Sequence, residues 1–269
     1  MPDAVPLRLI REMNSIVIAP EEQFPVLTHA PVIEAVLELR CRRDSLWEES
    51  AVTTMLKEHL PDFSIESLAG TKMEWKVQLG QEPEHSSEEL GWVGVLMRTA
   101  DKKEIVRVER DMVVFSQLAP YPGWDVFSNR AIRYWGVVAP DDVSCEFARI
   151  GMRYINRIEL TGPTVDLEEY LVAAPKLPLD LELPFVDFLH RETIGVPGYD
   201  YVVQLTRTIQ QTETEQGRGL GLIIDIDVAT TKPWSGTLVE LHARLNEMRW
   251  LKNKTFFGSL TQNAKSLLA

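Results

Sequence analysis

From Val32 the chain alternates. Ile33, Ala35, Leu37 and Leu39 are separated by Glu34, Val36, Glu38 and Arg40. A period of two marks a half-buried strand, because successive side chains point to opposite faces. Ser45 then offers an N-cap before Leu46–Leu60, where Val52, Met55, Leu56 and Leu60 fall on one helical face. Pro61 ends that helix. Met73, Trp75, Val77 and Leu79 alternate again. After an acidic loop, QEPEHSSEE, strands are expected at Trp92–Thr99, Ile105–Glu109 and Met112–Leu118. Tyr121-Pro122-Gly123 breaks the sheet, and Trp124, Phe127, Ala131, Ile132 and Trp135 recur at helical spacing through Val138.

Pro140-Asp141-Asp142 marks the midpoint. Cys145–Leu160 reads as a long strand with Ala148, Ile150, Met152, Tyr154, Ile158 and Leu160 on one face and Arg149, Arg153 and Arg157 on the other. A short helix at Asp166–Val172, with Thr164 as N-cap, precedes a Pro- and Leu-rich excursion over 173–198 holding one helical turn at Phe185–His190. Tyr199, Tyr201, Val203, Leu205 and Ile209 share one strand face; Leu220, Leu222, Ile224, Ile226 and Val228 share a second. The polar stretch Thr212–Gly219 joins them as a hairpin. Thr237 and Glu240 form a capping-box pattern ahead of Leu238, Leu241, Leu245 and Met248. Lys252–Lys254 is expected to break or bend this helix before Phe256–Leu268.

The order strand, helix, four strands, helix therefore opens the chain, and strand, helix, excursion, hairpin, helix closes it. The expected class is α+β: two similar halves of curved antiparallel sheet with helices packed on one face. This resembles the saddle-shaped, TATA-binding-protein-like topology, although the second half lacks strands that topology needs, and a shared fold transfers no function. Residues 1–29, polar and punctuated by prolines, read as an N-terminal arm with a short strand at Ser15–Ala19. Residues 30–140 and 141–269 form the two halves of one compact unit.

Charge narrows the function classes. The 269 residues carry 28 Lys plus Arg against 40 Asp plus Glu, a net charge of −12. A general binder of nucleic acid or anionic membrane needs net positive charge to release counterions, so neither is favoured. The two cysteines, Cys41 and Cys145, read as reduced core thiols of a cytoplasmic protein. The first residues lack the apolar run of a signal peptide, and no stretch is long enough to cross a bilayer.

Three stretches, APVIEAVLELR (30–40), GMRYINRIEL (151–160) and LHARLNEMRWLKNKTFFGSLT (241–261), resemble in order and spacing a sporadically distributed, uncharacterised bacterial family of about this length. Arg153-Tyr154-Ile155-Asn156-Arg157 is the most distinctive part. The resemblance covers roughly residues 25–265. It implies a single architecture, and its sporadic distribution is consistent with host-defence or toxin–antitoxin systems. It implies no activity.

Candidate chemistry is sparse. H-E-x-x-H, G-x-S-x-G and G-x-x-x-x-G-K-[ST] are all absent from the sequence. Gly217-Arg218-Gly219-Leu220-Gly221 precedes a strand, not the helix N-terminus a phosphate cradle requires, and reads as a hairpin turn. Arg149, Arg153 and Arg157 form either an anion-binding row, since guanidinium forks suit phosphate, or a sheet face neutralised by acids such as Asp225 and Asp227. Asn156 interrupts the apolar face and needs partners there. Asp225 and Asp227 share a face about 7 Å apart and offer either a metal pair or ordinary alternation. Trp92, Phe115, Tyr154, Tyr199 and Tyr201 on strands are either base-stacking surface or core. Trp250, Phe256 and Phe257 beside Arg249 and Lys252 make a basic amphipathic end, suited to partner docking or to packing on the sheet.

The sequence therefore points to a non-catalytic binding or assembly protein, a subunit of a bacterial cytoplasmic complex with a protein partner or with copies of itself, needing no cofactor. Its alternatives are an enzyme on a nucleotide or phosphorylated ligand, using the arginine row and the Asp225/Asp227 pair, and a nucleic-acid binder using the sheet.

Overall fold

The computed structural model describes residues 16–41, 47–76, 84–139, 145–160, 165–176, 186–214 and 217–269. The chain forms a curved α+β structure with a ten-stranded antiparallel sheet. The strands are β1 (Val32–Cys41), β2 (Phe63–Lys76), β3 (Glu84–Thr99), β4 (Glu104–Glu109), β5 (Met112–Leu118), β6 (Cys145–Leu160), β7 (Leu189–Gly195), β8 (Tyr201–Thr214), β9 (Gly217–Thr230) and β10 (Trp234–Gly236). The helices are α1 (Glu49–His59), α2 (Trp124–Val138), α3 (Leu238–Ser259) and α4 (Gln262–Leu268).

The sheet runs β2-β3-β4-β5-β1-β6-β9-β8-β7, with β10 added to β6. Its centre is the antiparallel pair β1–β6, where the two halves meet. In each half the last long strand returns to pair with the first: β5 with β1, and β9 with β6. A helix then follows, α2 or α3. The connectivity is compatible with the expected saddle; each half contributes five strands, the second half's fifth being the short β10 beside β6.

Alternation decides which face is buried. On β1, Ala35, Leu37, Leu39 and Cys41 are buried; on β9, Leu222, Ile224, Ile226 and Val228 are. These meet the apolar sides of the helices, so the core lies between one sheet face and the helical layer. Aromatic packing is dense there: Phe115 stacks on Phe127 at 5.2 Å between centroids and meets Tyr134 edge-on at 5.1 Å. Such pairs add a modest orientation preference to their large buried area.

Several expectations are corrected. The acidic stretch 84–89 is not loop: it pairs with β2 from Thr71 to Lys76, extending a long hairpin. Of the helical turn expected at Phe185–His190, Phe185 lies outside the described residues, 186–188 form no helix, and Leu189 and His190 begin β7, which pairs with β8 along its whole length. Gly217–Gly221 lies within β9 and pairs with β8, so it is ladder and not turn. The short helix at Asp166–Val172 shrinks to a 3₁₀ turn, Leu167–Glu169, whose N-cap is Asp166; Thr164, like Ser45, lies outside the described residues. Residues 16–19 form no strand. Ala148 is exposed and Phe147 buried, because a register shift where Arg40 and Cys41 face β6 swaps the sides there. Lys252–Lys254 does not break α3, which runs unbroken from its Thr237/Glu240 capping box to Ser259.

Cys41 is disulfide-bonded, not a reduced thiol. The sequence offers one other cysteine, Cys145, whose backbone begins the neighbouring strand two residues from Phe147, the register partner of Cys41. The cysteine argument for a reducing compartment is withdrawn with it. No helix among the described residues is long and apolar enough to cross a membrane.

Candidate functional site

The arginine row lies on the sheet face away from the helices, and every member has an acid. Arg153 forms a two-pronged pair with Asp225, at 2.8 Å from Nε and 2.6 Å from Nη2. The cross-strand register makes this possible, since Arg153 opposes Asp227 and lies diagonal to Asp225. Arg149 donates to Glu38 on one side, at 2.7 Å, and to Asp227 on the other, at 3.2 Å. Arg157 binds Glu159 at 2.6 and 3.1 Å. Two glycines let these side chains lie flat. A Cβ on Gly151 would fall 2.2 Å from the Arg149 guanidinium, and one on Gly221 would fall 2.6 Å from that of Arg157.

This arrangement is electrostatically closed. The hydrogen bonds that Arg153 donates to Asp225 hold its guanidinium more firmly protonated than usual. Burial pushes the Asp227 carboxyl up, against the opposing pull of Arg149 and Arg153. A metal at Asp225 and Asp227 would have to displace Arg153 and Arg149. Among the described residues no group of three or more His, Cys, Asp or Glu is placed to hold a metal ion.

The strand aromatics are mostly core. Phe115, Tyr154 and Tyr201 are buried. Trp92 stacks on Trp47 at 5.4 Å, and Tyr199 stacks on Tyr201 at 6.4 Å while its hydroxyl accepts from the Ile18 N–H at 3.2 Å.

A different cluster emerges on α3. Residues 20–27 and 30–32 face this helix across a cleft, and Glu22 and Phe24 touch it. Glu22 accepts from Trp250 Nε1 at 2.7 Å and from Lys254 at 2.5 Å. Phe24 stacks on Phe257 at 5.7 Å. The His29 N–H reaches the Leu268 carbonyl at 3.2 Å. The aromatic end expected to meet a partner is thus covered within the chain: Trp250 and Phe256 are buried, and Phe257 is half-buried under Phe24. α3 packs on β9, β6 and β8 beneath and meets Glu22 and Phe24 on another side, while Val239, Ala243 and Gly258 stay exposed.

Between segment and helix lies a cleft of about 680 Å³. Its walls bring together residues that seemed unrelated in sequence: Asn156 from β6, Tyr121 and Trp124 from the start of α2, and Arg249, Lys252 and Asn253 from α3. Asn156 donates to the carbonyls of Ile224, at 3.0 Å, and Tyr154, at 3.4 Å, tying β6 to β9. Both bonds use its amide hydrogens, so its side-chain oxygen remains as an acceptor. Asn253, only 8% exposed, lines the same space, and no hydrogen bond is made by its side chain among the described residues.

Two cations share this cleft without a carboxylate partner among the described residues. Arg249 lies over the Trp124 ring at 5.5 Å, and Asn246 accepts from that indole at 3.0 Å. Lys252 Nζ sits 4.1 Å above the centre of the Tyr154 ring, a cation–π contact that replaces part of its lost hydration. Burial first, and then nearby Arg249, push the Lys252 ammonium down to about 7. Glu21, Glu22 and Asp125 also line the cleft, but all three are exposed. Beneath the lysine the hydroxyls of Tyr121 and Tyr154 share a 2.9 Å hydrogen bond. Burial pushes Tyr121 up to about 12 and Tyr154 well above its ordinary range, so both stay neutral.

A second cavity, about 1020 Å³, opens beside Cys41 and is lined by Arg40, Arg107, Glu109, Arg110, Asp111 and Glu146 among others. Its charges alternate in sign, and Arg107 pairs with Glu109. Of these two cavities, the α3 cleft is the one that brings together two cations with no acid partner among the described residues. The chain matches no protein-family model, no curated protein and no solved structure.

Proposed function

We propose that the protein is a non-catalytic binding and assembly protein that works through the α3 cleft, where Arg249 and Lys252 receive an anionic group of a ligand or partner. The observation that supports this is the contrast in pairing: the cleft cations have no acids, whereas the sheet-face arginines are all engaged. A guanidinium held by an aromatic ring is pre-organised for a carboxylate or phosphate. Buried Asn253 and the Asn156 oxygen add polar contacts that would fix the orientation of what binds. The resemblance to a sporadic bacterial family favours a role in a multi-component system, with self-association or a protein partner completing it.

The test is titration with inorganic phosphate and with acetate at low ionic strength, read by calorimetry and by melting temperature. Binding is expected in the natural protein, weakened at least about ten-fold in Arg249→Ala, the loss of one charge-assisted contact, and unchanged in Arg153→Ala. Absence of binding, or equal loss in Arg153→Ala, would overturn the reading.

A further inference from the structure

We infer that Lys252 is a reactive amine that forms an imine with a small 2-oxo acid, whose carboxylate is held by Arg249 in the same cleft. This rests on the anion-binding reading and names its ligand class. The amine lines a cavity large enough for a small ligand. It lacks the carboxylate that normally holds a lysine charged and occupied. Burial away from water and a neighbouring guanidinium make the protonated form costly, and the Tyr154 ring offsets only part of that cost, which is how proteins turn a lysine into a nucleophile. With its ammonium near 7, a large share of Lys252 is free base at neutral pH, whereas a solvated lysine is almost wholly protonated.

Lys252 and Arg249 lie three residues apart on α3, so their side chains leave the helix on neighbouring turns of one face. That spacing suits a ligand carrying a carbonyl next to a carboxylate. The bond changes balance without a co-reactant. The Nζ lone pair attacks the carbonyl carbon, and a proton passes from nitrogen to oxygen to give a carbinolamine. The hydroxyl then leaves with the remaining N–H proton as one water, and the C=N bond forms. No electrons are gained or lost. The neutral hydroxyl pair of Tyr121 and Tyr154 forms the floor beneath the lysine, and Asn253 offers an unused amide to the ligand.

The experiment incubates the protein with pyruvate or glyoxylate and sodium cyanoborohydride, which reduces an imine to a stable amine. Intact mass and peptide mapping then locate the adduct. One adduct is expected, on Lys252, forming at least about ten-fold faster than on the exposed Lys176 and Lys232, in keeping with its lowered proton affinity. It should disappear in Lys252→Arg and Lys252→Met. Lys252→Arg keeps the positive charge, so it should still bind phosphate. Arg249→Ala should erase the preference for pyruvate over acetone, a carbonyl compound without the acid. Adducts spread evenly over exposed lysines, or undiminished in Lys252→Met, would overturn the imine. Phosphate binding without a Lys252 adduct would sink the imine alone, whereas loss of phosphate binding by the natural protein would sink the cleft reading beneath it.

Discussion

Arg153 and Tyr154 are neighbours on β6, yet they serve opposite regimes. Arg153 points to the open sheet face, where a row of cations and acids closes on itself. Tyr154 points into the core and carries over its ring Lys252, which lines a cleft whose two cations, Arg249 and Lys252, have no acid partner among the described residues. Counting charges does not separate the two regions. Pairing does: a cation with a bidentate acid is spent on structure, and one desolvated without an acid is held ready for something else. The strand pleat alone assigns adjacent residues to these two regimes.

The comparison is broken most severely at Tyr154. The side chain is wholly buried and packs against Phe127 at 5.9 Å and Tyr121 at 5.5 Å. Tyr154→Ala is expected to cost about 3–5 kcal/mol, as for other large core truncations, and to lift the cation–π support from Lys252. Tyr154→Phe keeps the ring and loses only the bond to Tyr121, about 1 kcal/mol. Denaturant titration of both variants separates the ring from the hydroxyl.

Lys252 comes next. Its folded value is depressed to about 7 from an ordinary 10.5. Between those values the unfolded chain binds a proton that the folded chain does not, so the stability contribution of this group rises with pH across that window. Below about 7 its penalty is fully present. Lys252→Met should therefore stabilise the protein by about 1–2 kcal/mol at pH 6, gain less at pH 9, and flatten the rise. Chemical denaturation at the two pH values measures this. A gain that does not change with pH would show that the methionine acts through packing, not through charge.

What the sequence made legible follows the same division. β5, β6 and α2 were readable because one face of each is apolar at a clean period, and their ends coincide with the expected ones. The inner part of β2, from Phe63 to Lys72, and the outer part of β3, Glu84–Gly91, were not, because small and polar residues there blur or lose the alternation, whereas Met73 and Trp75 at the outer end of β2 kept it. β7 was missed for the same reason: it is an edge strand, exposed nearly throughout. α3 was expected to falter at Lys252–Lys254, since two lysines and an asparagine interrupt its period. They fit because Lys252 lies over the Tyr154 ring and Lys254 pairs with Glu22, partners distant in sequence that periodicity cannot reveal. The cleft was invisible as a unit. Asn156 stood out beside the arginine row, and Arg249 and Lys252 as part of the basic C-terminal end, and only the crossing of β6 under α3 brings the two groups together. The free Asn253 carried no signal beyond being a polar residue in a helix with apolar neighbours.

On the sheet face the effects should be smaller. Arg153→Ala breaks a half-exposed pair and is expected to cost about 0.5–1 kcal/mol, within the range of surface ion pairs. A double-mutant cycle with Asp225→Ala isolates the coupling. A coupling near zero would mean that this bidentate pair organises the face without stabilising it, and the contrast with the cleft would then rest on ligand binding alone.

The finest test concerns Gly151. A Cβ there meets only the Arg149 side chain at close range, 2.2 Å from Nη1, with no backbone among its nearest neighbours. Two effects oppose one another in Gly151→Ala. Replacing glycine inside an element gains about 0.5–1 kcal/mol through chain entropy, while the displaced guanidinium gives up its bonds to Glu38 and Asp227. The net change in the natural background should be close to zero. In an Arg149→Ala background nothing remains to be displaced, so the same substitution should stabilise by about 0.5 kcal/mol or more. Thermal melts of the four proteins decide it. Equal effects in both backgrounds would show that Arg149 is not held against the strand, and that the sheet face is looser, and more open to an outside anion, than its closed pairing implies.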